Sequence, residues 1–223
     1  MATARESLLN AALVALADLP WSAVRMVEVA AAAGVSRQTL YNEFGSKEGL
    51  ARALVRREAD TYLHGVDRVL AERSPAADRL VAVAEWTVRE ALARPLLAAM
   101  LTGCWSERLP APKPARLGAA PAGVPAQRRA DAGPPAPAEL VAAVRERSLD
   151  ALGGPGALDH GHRDGLAHRC ELAVRLALSY VIAPVGERVG LIVRTAVAGV
   201  VASGGSAGSA QGLPGAGTAR SSV

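Results

Sequence analysis

Apolar side chains recur along most of this chain at three- and four-residue spacing, the mark of helices that bury one face. Leu9, Ala12, Leu13 and Leu16 form the first such stripe, behind Thr3-Ala4-Arg5-Glu6, which has the form of a capping box. That helix ends before Asp18-Leu19-Pro20-Trp21. Met26, Val29, Ala30 and Ala33 make the second stripe, with Ala30 small where another helix must cross closely. Gly34 stands where the chain leaves this helix through positive φ, which glycine reaches without a Cβ clash. Val35 plugs the turn, Ser36 can cap the following helix, and Leu40 and Phe44 anchor that helix inward. Gln38 and Asn42 fall on the opposite face, flanked by Thr39 and Tyr41. The stretch from Val24 to Leu50 is therefore written as a helix-turn-helix, although a helical hairpin in an ordinary bundle shares its periodicity.

Beyond Leu50 the pattern lengthens. Leu50, Ala53, Leu54, Leu63, Val66 and Leu70 predict a connector helix over 47 to about 71, and Ser74-Pro75 predicts a restart in cap and N1 order. The restarted helix carries Leu80, Val83, Ala84, Trp86, Val88, Ala91 and Leu92, and a shorter one follows Pro95 over Leu96 to Leu101. Residues 106–137 hold eight prolines among alanines, glycines and arginines, a density that predicts a flexible surface segment. Its basic residues Arg108, Lys113, Arg116, Arg128 and Arg129 read as solvated charge, or as a contact for DNA or acidic lipid. Helices resume over Ala138 to Leu152 and over about Arg163 to Ala183, stopped by Pro184. The second of these is apolar on two sides and so needs two partners. The last stripe, Val189, Ile192, Val193, Ala196, Val197, Val200 and Val201, leaves little polar surface, so this pair reads as core alone or as core plus a subunit interface. Ser203 to Val223, rich in Gly, Ser and Ala, predicts a disordered tail.

Composition supports an all-α fold. Half the residues are hydrophobic but only 3% are aromatic, so the core must be built from Ala, Val and Leu, which suits close-packed helices. The division expected is a helix-turn-helix domain over 1–50, a helical effector-binding and dimerisation domain over 51–203, and the tail over 204–223. The net charge of +4 does not come from the first domain. Residues 1–52 hold Arg5, Arg25, Arg37, Lys47 and Arg52 against Glu6, Asp18, Glu28, Glu43 and Glu48, so any DNA affinity there must come from placed residues. Cys104 and Cys170 lie far apart without a CxxC and imply a reducing cytoplasm and no disulfide. A secretory leader is not expected, because Glu6 cancels Arg5 and Asn10 interrupts the apolar run. Val189 to Ala202, interrupted by Arg194, is too short to span a bilayer.

The stretch AAAAGVSRQTLYNEFGSKEGL resembles the DNA-binding signature of the TetR (tetracycline repressor) family, close to A-x-x-A-G-V-S-x-x-T-[LI]-Y-x-x-F-x-[ST]-K-x-x-L. Gly34, Val35, Tyr41, Phe44, Lys47 and Leu50 carry the match at fixed spacing over about the first quarter of the chain. One position departs: Arg25 stands near the place where the family often has a threonine cap, with Ser22 the nearest capping side chain. The resemblance implies that Tyr41 and Lys47 hold phosphates, and that Arg37, Gln38, Thr39 and Asn42 approach bases or backbone behind the Ser36 cap. It also implies a homodimer built on two C-terminal helices per chain, presenting two recognition helices to a near-palindromic operator as a repressor. YNEFGSKEGLARALVRREAD further resembles a subgroup associated with alkane, fatty-acid and lipid-export genes, which implies an apolar effector such as a fatty acid or acyl derivative. Residues 80–102 and 138–183 would enclose its pocket, with Trp86, Met100, Trp105, Val174 and Leu178 as lining; the same side chains also read as plain core.

Two other classes stay open. His160, His162, His168 and Cys170 offer H-x-H and H-x-C ligand chemistry for a metal-responsive regulator, at a spacing that matches no strong template and with two of the histidines in a glycine-rich turn. A helical interaction protein without DNA binding is the other. An enzyme is not expected and no cofactor is implied, since the chain carries no G-x-S-x-G, no phosphate loop and no H-E-x-x-H.

Overall fold

The computed structural model describes residues 3–111, 135–153, 160–184 and 188–203. Among these the chain is all-α, with helices α1 (Ala4–Asp18), α2 (Met26–Ala32), α3 (Arg37–Phe44), α4 (Lys47–Leu70), α5 (Ala76–Ala93), α6 (Pro95–Thr102), α7 (Pro137–Leu152), α8 (His160–Ile182) and α9 (Val189–Ser203). Most of the segment expected to be flexible, and the tail expected over 204–223, lie outside the described residues. No described helix is long and apolar enough to cross a membrane.

The first three helices and the start of α4 close around one small core of Leu8, Leu9, Ala12, Val24, Val29, Ala30, Leu40, Phe44, Leu50 and Leu54. The capping box at Thr3 forms as expected: its side chain accepts from the Glu6 N–H at 3.2 Å and the Glu6 carboxylate accepts from the Thr3 N–H at 3.0 Å. The buried stripe of α1 is shifted from the expected one, to Leu8, Leu9 and Ala12, while Leu13 and Leu16 are half-buried. The reason is position. Leu13 packs against both this core and the next, because the C-terminal half of α1 lies over the junction between them.

α4 belongs to both cores. Its first turns give Leu50 and Leu54 to the small core, and Val55, Ala59, Tyr62, Val66 and Leu70 to a second one shared with α5, α6, α7 and α8. Tyr62, wholly buried, stacks on Trp86 at 5.5 Å between centroids and shares a 3.1 Å hydrogen bond with Thr87. Burial pushes its phenol up to about 12. Arg57 ties the same helix back to α1, donating to Asn10 Oδ1 at 2.7 Å and to the Leu9 carbonyl at 3.1 Å. α4 thus runs continuously from one core into the other.

A third core, of Leu80, Val81, Ala84, Leu166, Cys170, Ala173, Ala177, Tyr180, Val189, Val193 and Val197, joins α5, α8 and α9. α8 does find partners on two sides, since Val174 serves the second core and Ala173 and Ala177 the third. The Ser74-Pro75 restart differs by one residue: Pro75 itself is the cap and the helix begins at Ala76, while the Ser74 N–H is spent on the Glu72 carbonyl at 3.0 Å. α8 begins at His160, so that histidine and His162 occupy its first turn rather than a loop.

Candidate nucleic-acid interface

α3 is shaped for display. Gly34, at φ +68, turns the chain out of α2, and the Val35 N–H closes the turn on the Ala30 carbonyl at 3.0 Å. Ser36 then caps α3, its hydroxyl accepting from the Thr39 N–H at 3.0 Å and pairing with the Thr39 hydroxyl at 2.9 Å. A cap of this kind contributes about 1 kcal/mol. Leu40 and Phe44 pin the inner face, and α3 ends at Gly45. α2 starts without a side-chain cap, as the arginine at position 25 foreshadows.

The outer face carries the expected residues. Ser36, Arg37, Gln38, Tyr41 and Asn42 are exposed, Tyr41 to 49%, and Thr39 is half-buried. Gln38 Nε2 donates to Asn42 Oδ1 at 2.8 Å, one helical turn away. This pairing holds the two amides side by side, with Gln38 Oε1 and the Asn42 amide N–H groups left to meet a base edge. Carboxamides placed in this way suit the paired acceptor and donor of adenine in the major groove. Arg5 bridges from α1 to the end of α3, contacting Glu43 at 3.5 Å and lying 4.8 Å above the Phe44 ring.

Lys47 opens α4 behind the Ser46 cap, whose hydroxyl accepts from the Gly49 N–H at 3.1 Å. It is half-buried and already engaged. Its ammonium donates to the Ser22 carbonyl at 3.1 Å and sits 5.2 Å from the centroid of Trp21, and partial burial lowers its pKa. A phosphate there would meet a preset ammonium beside the N-terminus of a 24-residue helix. Trp21 and the Ser22 carbonyl therefore fix the position of the Lys47 ammonium, which spacing alone does not reveal; a tryptophan directly after the α1 breaker is their one visible signal.

The segment following α6 is ordered where it is described. Residues 106–111 lie against the helix-turn-helix: the Trp21 N–H donates to the Arg108 carbonyl at 2.8 Å, and Arg108 Nη2 reaches the Asp18 carbonyl at 3.5 Å. Pro110 is buried. Docking of this stretch departs from the flexible surface segment expected from its prolines, because a turn closed by the Leu109 N–H on the Ser106 carbonyl at 3.0 Å leaves the Arg108 carbonyl to accept from a neighbour without forming a helix.

Trp86, Met100 and Val174 come together in the second core, fully packed, with Trp105 and Leu178 half-buried against them. Only Leu178 of these five lines one of the described cavities, a groove of about 260 Å³ beside Arg145, Glu171 and Arg175. Of the residues with ligand chemistry for a metal, His168 is exposed whereas Cys170 is wholly buried, its thiol pushed up to about 11 by desolvation. The side chains of His160 and His162 lie outside the described residues, and among those described no three His, Cys, Asp or Glu side chains group as a metal site.

Comparison with known proteins places this geometry. Residues 8–54 match the bacterial regulatory proteins of the tetR family. Over 62 residues the chain is 48% identical to the HTH-type transcriptional regulator AlkX of Mycobacterium tuberculosis (strain ATCC 25618 / H37Rv), a match that takes in 28% of this chain and 29% of that one. The chain thus aligns with under a third of that relative's length. Among solved structures it is similar to the TetR family repressor AlkX from Dietzia sp. strain DQ12-45-1b, implicated in biodegradation of n-alkanes, with a TM-score of 0.52 and 20% identity over 89% of this chain and 95% of that one. It is also similar to a tetR-family transcriptional regulator from Streptomyces coelicolor, with a TM-score of 0.52 and 19% identity over 91% and 81% of the two chains. At these identities the solved structures establish a shared helical fold.

Proposed function

We propose that this chain, whose N-terminal domain belongs to the tetR family of bacterial regulatory proteins, is a transcriptional repressor that binds a near-palindromic operator as a homodimer and is released by an apolar effector. The observation that carries the reading is the outward face of α3, where Gln38, Tyr41 and Asn42 stand exposed on a helix capped by Ser36 and pinned by Leu40 and Phe44. A polar face so firmly backed is a display surface. Arg37, Gln38, Thr39 and Asn42 read bases or backbone, while Tyr41 and Lys47 hold phosphates and fix the register.

Dimerisation is supported by Ile182 and Leu191, which leave large apolar side chains 64% and 63% exposed near the ends of α8 and α9. A two-fold pairing there presents two copies of α3 to successive major grooves, about 34–36 Å apart. Effector binding shifts the population toward a spacing that no longer fits the operator, with α4 as the lever, and it does so only if the effector has unequal affinity for the two states. The likeness to a repressor implicated in n-alkane biodegradation favours a lipid-like effector such as a fatty acid or acyl derivative.

Tyr41 offers the cleanest test. It is exposed and contributes nothing to the small core, so Tyr41→Ala is expected to weaken operator binding about tenfold with an unchanged melting temperature. Gel shifts and thermal melts on the same preparation check both halves; undiminished binding removes the phosphate role of Tyr41.

A further inference from the structure

We propose that the effector site is the junction between α1 and the larger helical body, and that its ligand is an apolar chain bearing a single negative charge. The inference rests on the reading of the chain as an effector-controlled repressor, and it moves the ligand away from the packed cluster around Trp86. Between α1, α4, the α5–α6 connection and the strap at 106–111 lies a cavity of about 410 Å³. That volume falls within the range of about 300–1,000 Å³ usual for small-molecule sites. Its walls are largely aliphatic, with Leu13 and Leu16 on one side and Leu96 and Leu109 on the other.

Charge selects the head group. Glu58, almost wholly buried at the cavity wall, is paired with Arg94 at 2.9 Å; the other arm of Arg94 holds Glu90 at 3.0 Å, and Arg57 adds a positive charge beside Glu58. These four charges balance. Arg108, on the strap, is the remaining charge of the lining; it is exposed, and among the described residues its guanidinium is held only by the long 3.5 Å contact to the Asp18 carbonyl. A carboxylate at the rim would replace that contact to a neutral carbonyl with an ion pair that the guanidinium can make in bidentate form, while its chain occupied the aliphatic walls.

Position supplies the coupling. The strap that carries Arg108 also accepts the Trp21 N–H at 2.8 Å, and Trp21 underlies the ammonium of Lys47, which is further fixed to the Ser22 carbonyl at 3.1 Å. Drawing Arg108 toward a ligand releases Asp18, displaces the strap and loosens the seat of Lys47. A ligand wedged beside Leu13 and Leu16 also presses on α1 itself. Both routes reach the DNA-facing residues within a few contacts.

Calorimetric titration of the full chain with sodium dodecanoate, and in parallel with dodecanol, tests the site. Dodecanoate is expected to bind the wild-type chain once per protomer. Ala93→Trp, which fills the cavity from an exposed position on its wall, should weaken dodecanoate about tenfold or more. Arg108→Ala, also exposed, should weaken dodecanoate about tenfold but change dodecanol less than about twofold. Absence of dodecanoate binding to the wild-type chain, or wild-type binding by both variants, overturns the proposal. Operator affinity of the unliganded wild-type chain, measured alongside, separates the two readings: its loss would sink the repressor, while the titrations still decide the junction site.

Discussion

Gly49→Ala is expected to weaken operator binding about a hundredfold while leaving most of the helical content in place. A Cβ at this position would lie 1.8 Å from the carbonyl oxygen of Phe44 and 3.0 Å from its carbonyl carbon. Those are backbone atoms at the end of α3, and no rotamer change moves them aside. The chain has two ways out. Either α3 is pushed off the first turn of α4, withdrawing Phe44 from the small core, or that turn opens and loses the hydrogen bond between the Gly49 N–H and Ser46. Overpacking of this kind costs about 1–3 kcal/mol and occasionally more. In a two-fold assembly the displaced α3 is presented twice, so a loss of about 1.4 kcal/mol per helix becomes about a hundredfold in affinity. Far-ultraviolet circular dichroism and gel shifts on the same variant check the prediction, and wild-type affinity would show that α3 does not need its seat on α4.

Removal of both amides should have the other large effect, and of a different kind. Gln38 and Asn42 are exposed, bonded to each other at 2.8 Å, and absent from the small core, so the double variant Gln38→Ala, Asn42→Ala should fold and melt as the parent does. A bidentate base contact discriminates by about 1–3 kcal/mol. Loss of two such groups on each of two helices should erase the preference for operator over scrambled DNA, leaving the weaker, salt-dependent attraction to phosphates. Tyr41→Ala, in contrast, should weaken both DNAs alike. Competition titrations over a range of salt distinguish these patterns, and a double variant that keeps its sequence preference would move base reading to other residues.

Much of this was legible in the sequence because local chemistry and tertiary packing ask for the same residues. Thr3 and Ser36 can cap only helices that begin beside them, Gly34 suits a turn that needs positive φ, and Leu40 and Phe44 four apart can only face one way. The helix over 47–70 was equally plain from its period. What stayed hidden depends on contacts distant in the chain. Leu13 and Leu16 continue the stripe of α1, yet they turn toward a junction made by residues some eighty positions later. Gly49 is one of many glycines in the composition, and only the approach of the Phe44 carbonyl makes it irreplaceable. The strap is hidden for the opposite reason: proline density forecast the absence of a helix correctly at 106–111 but said nothing of the Trp21 N–H waiting for a carbonyl. Trp86 and Met100 illustrate the ambiguity of apolar side chains, which line a pocket or fill a core with the same spacing.

The most direct test of a regulator that reads DNA through α3 is a fluorescence-anisotropy titration of the full chain against duplex DNA flanking its own gene and against a scrambled duplex of equal composition, with stoichiometry taken at saturation. The expected result is a preference of at least about a thousandfold for the flanking DNA at physiological salt, with two chains on each site. Equal affinity for the two duplexes, or no binding to either, would contradict it.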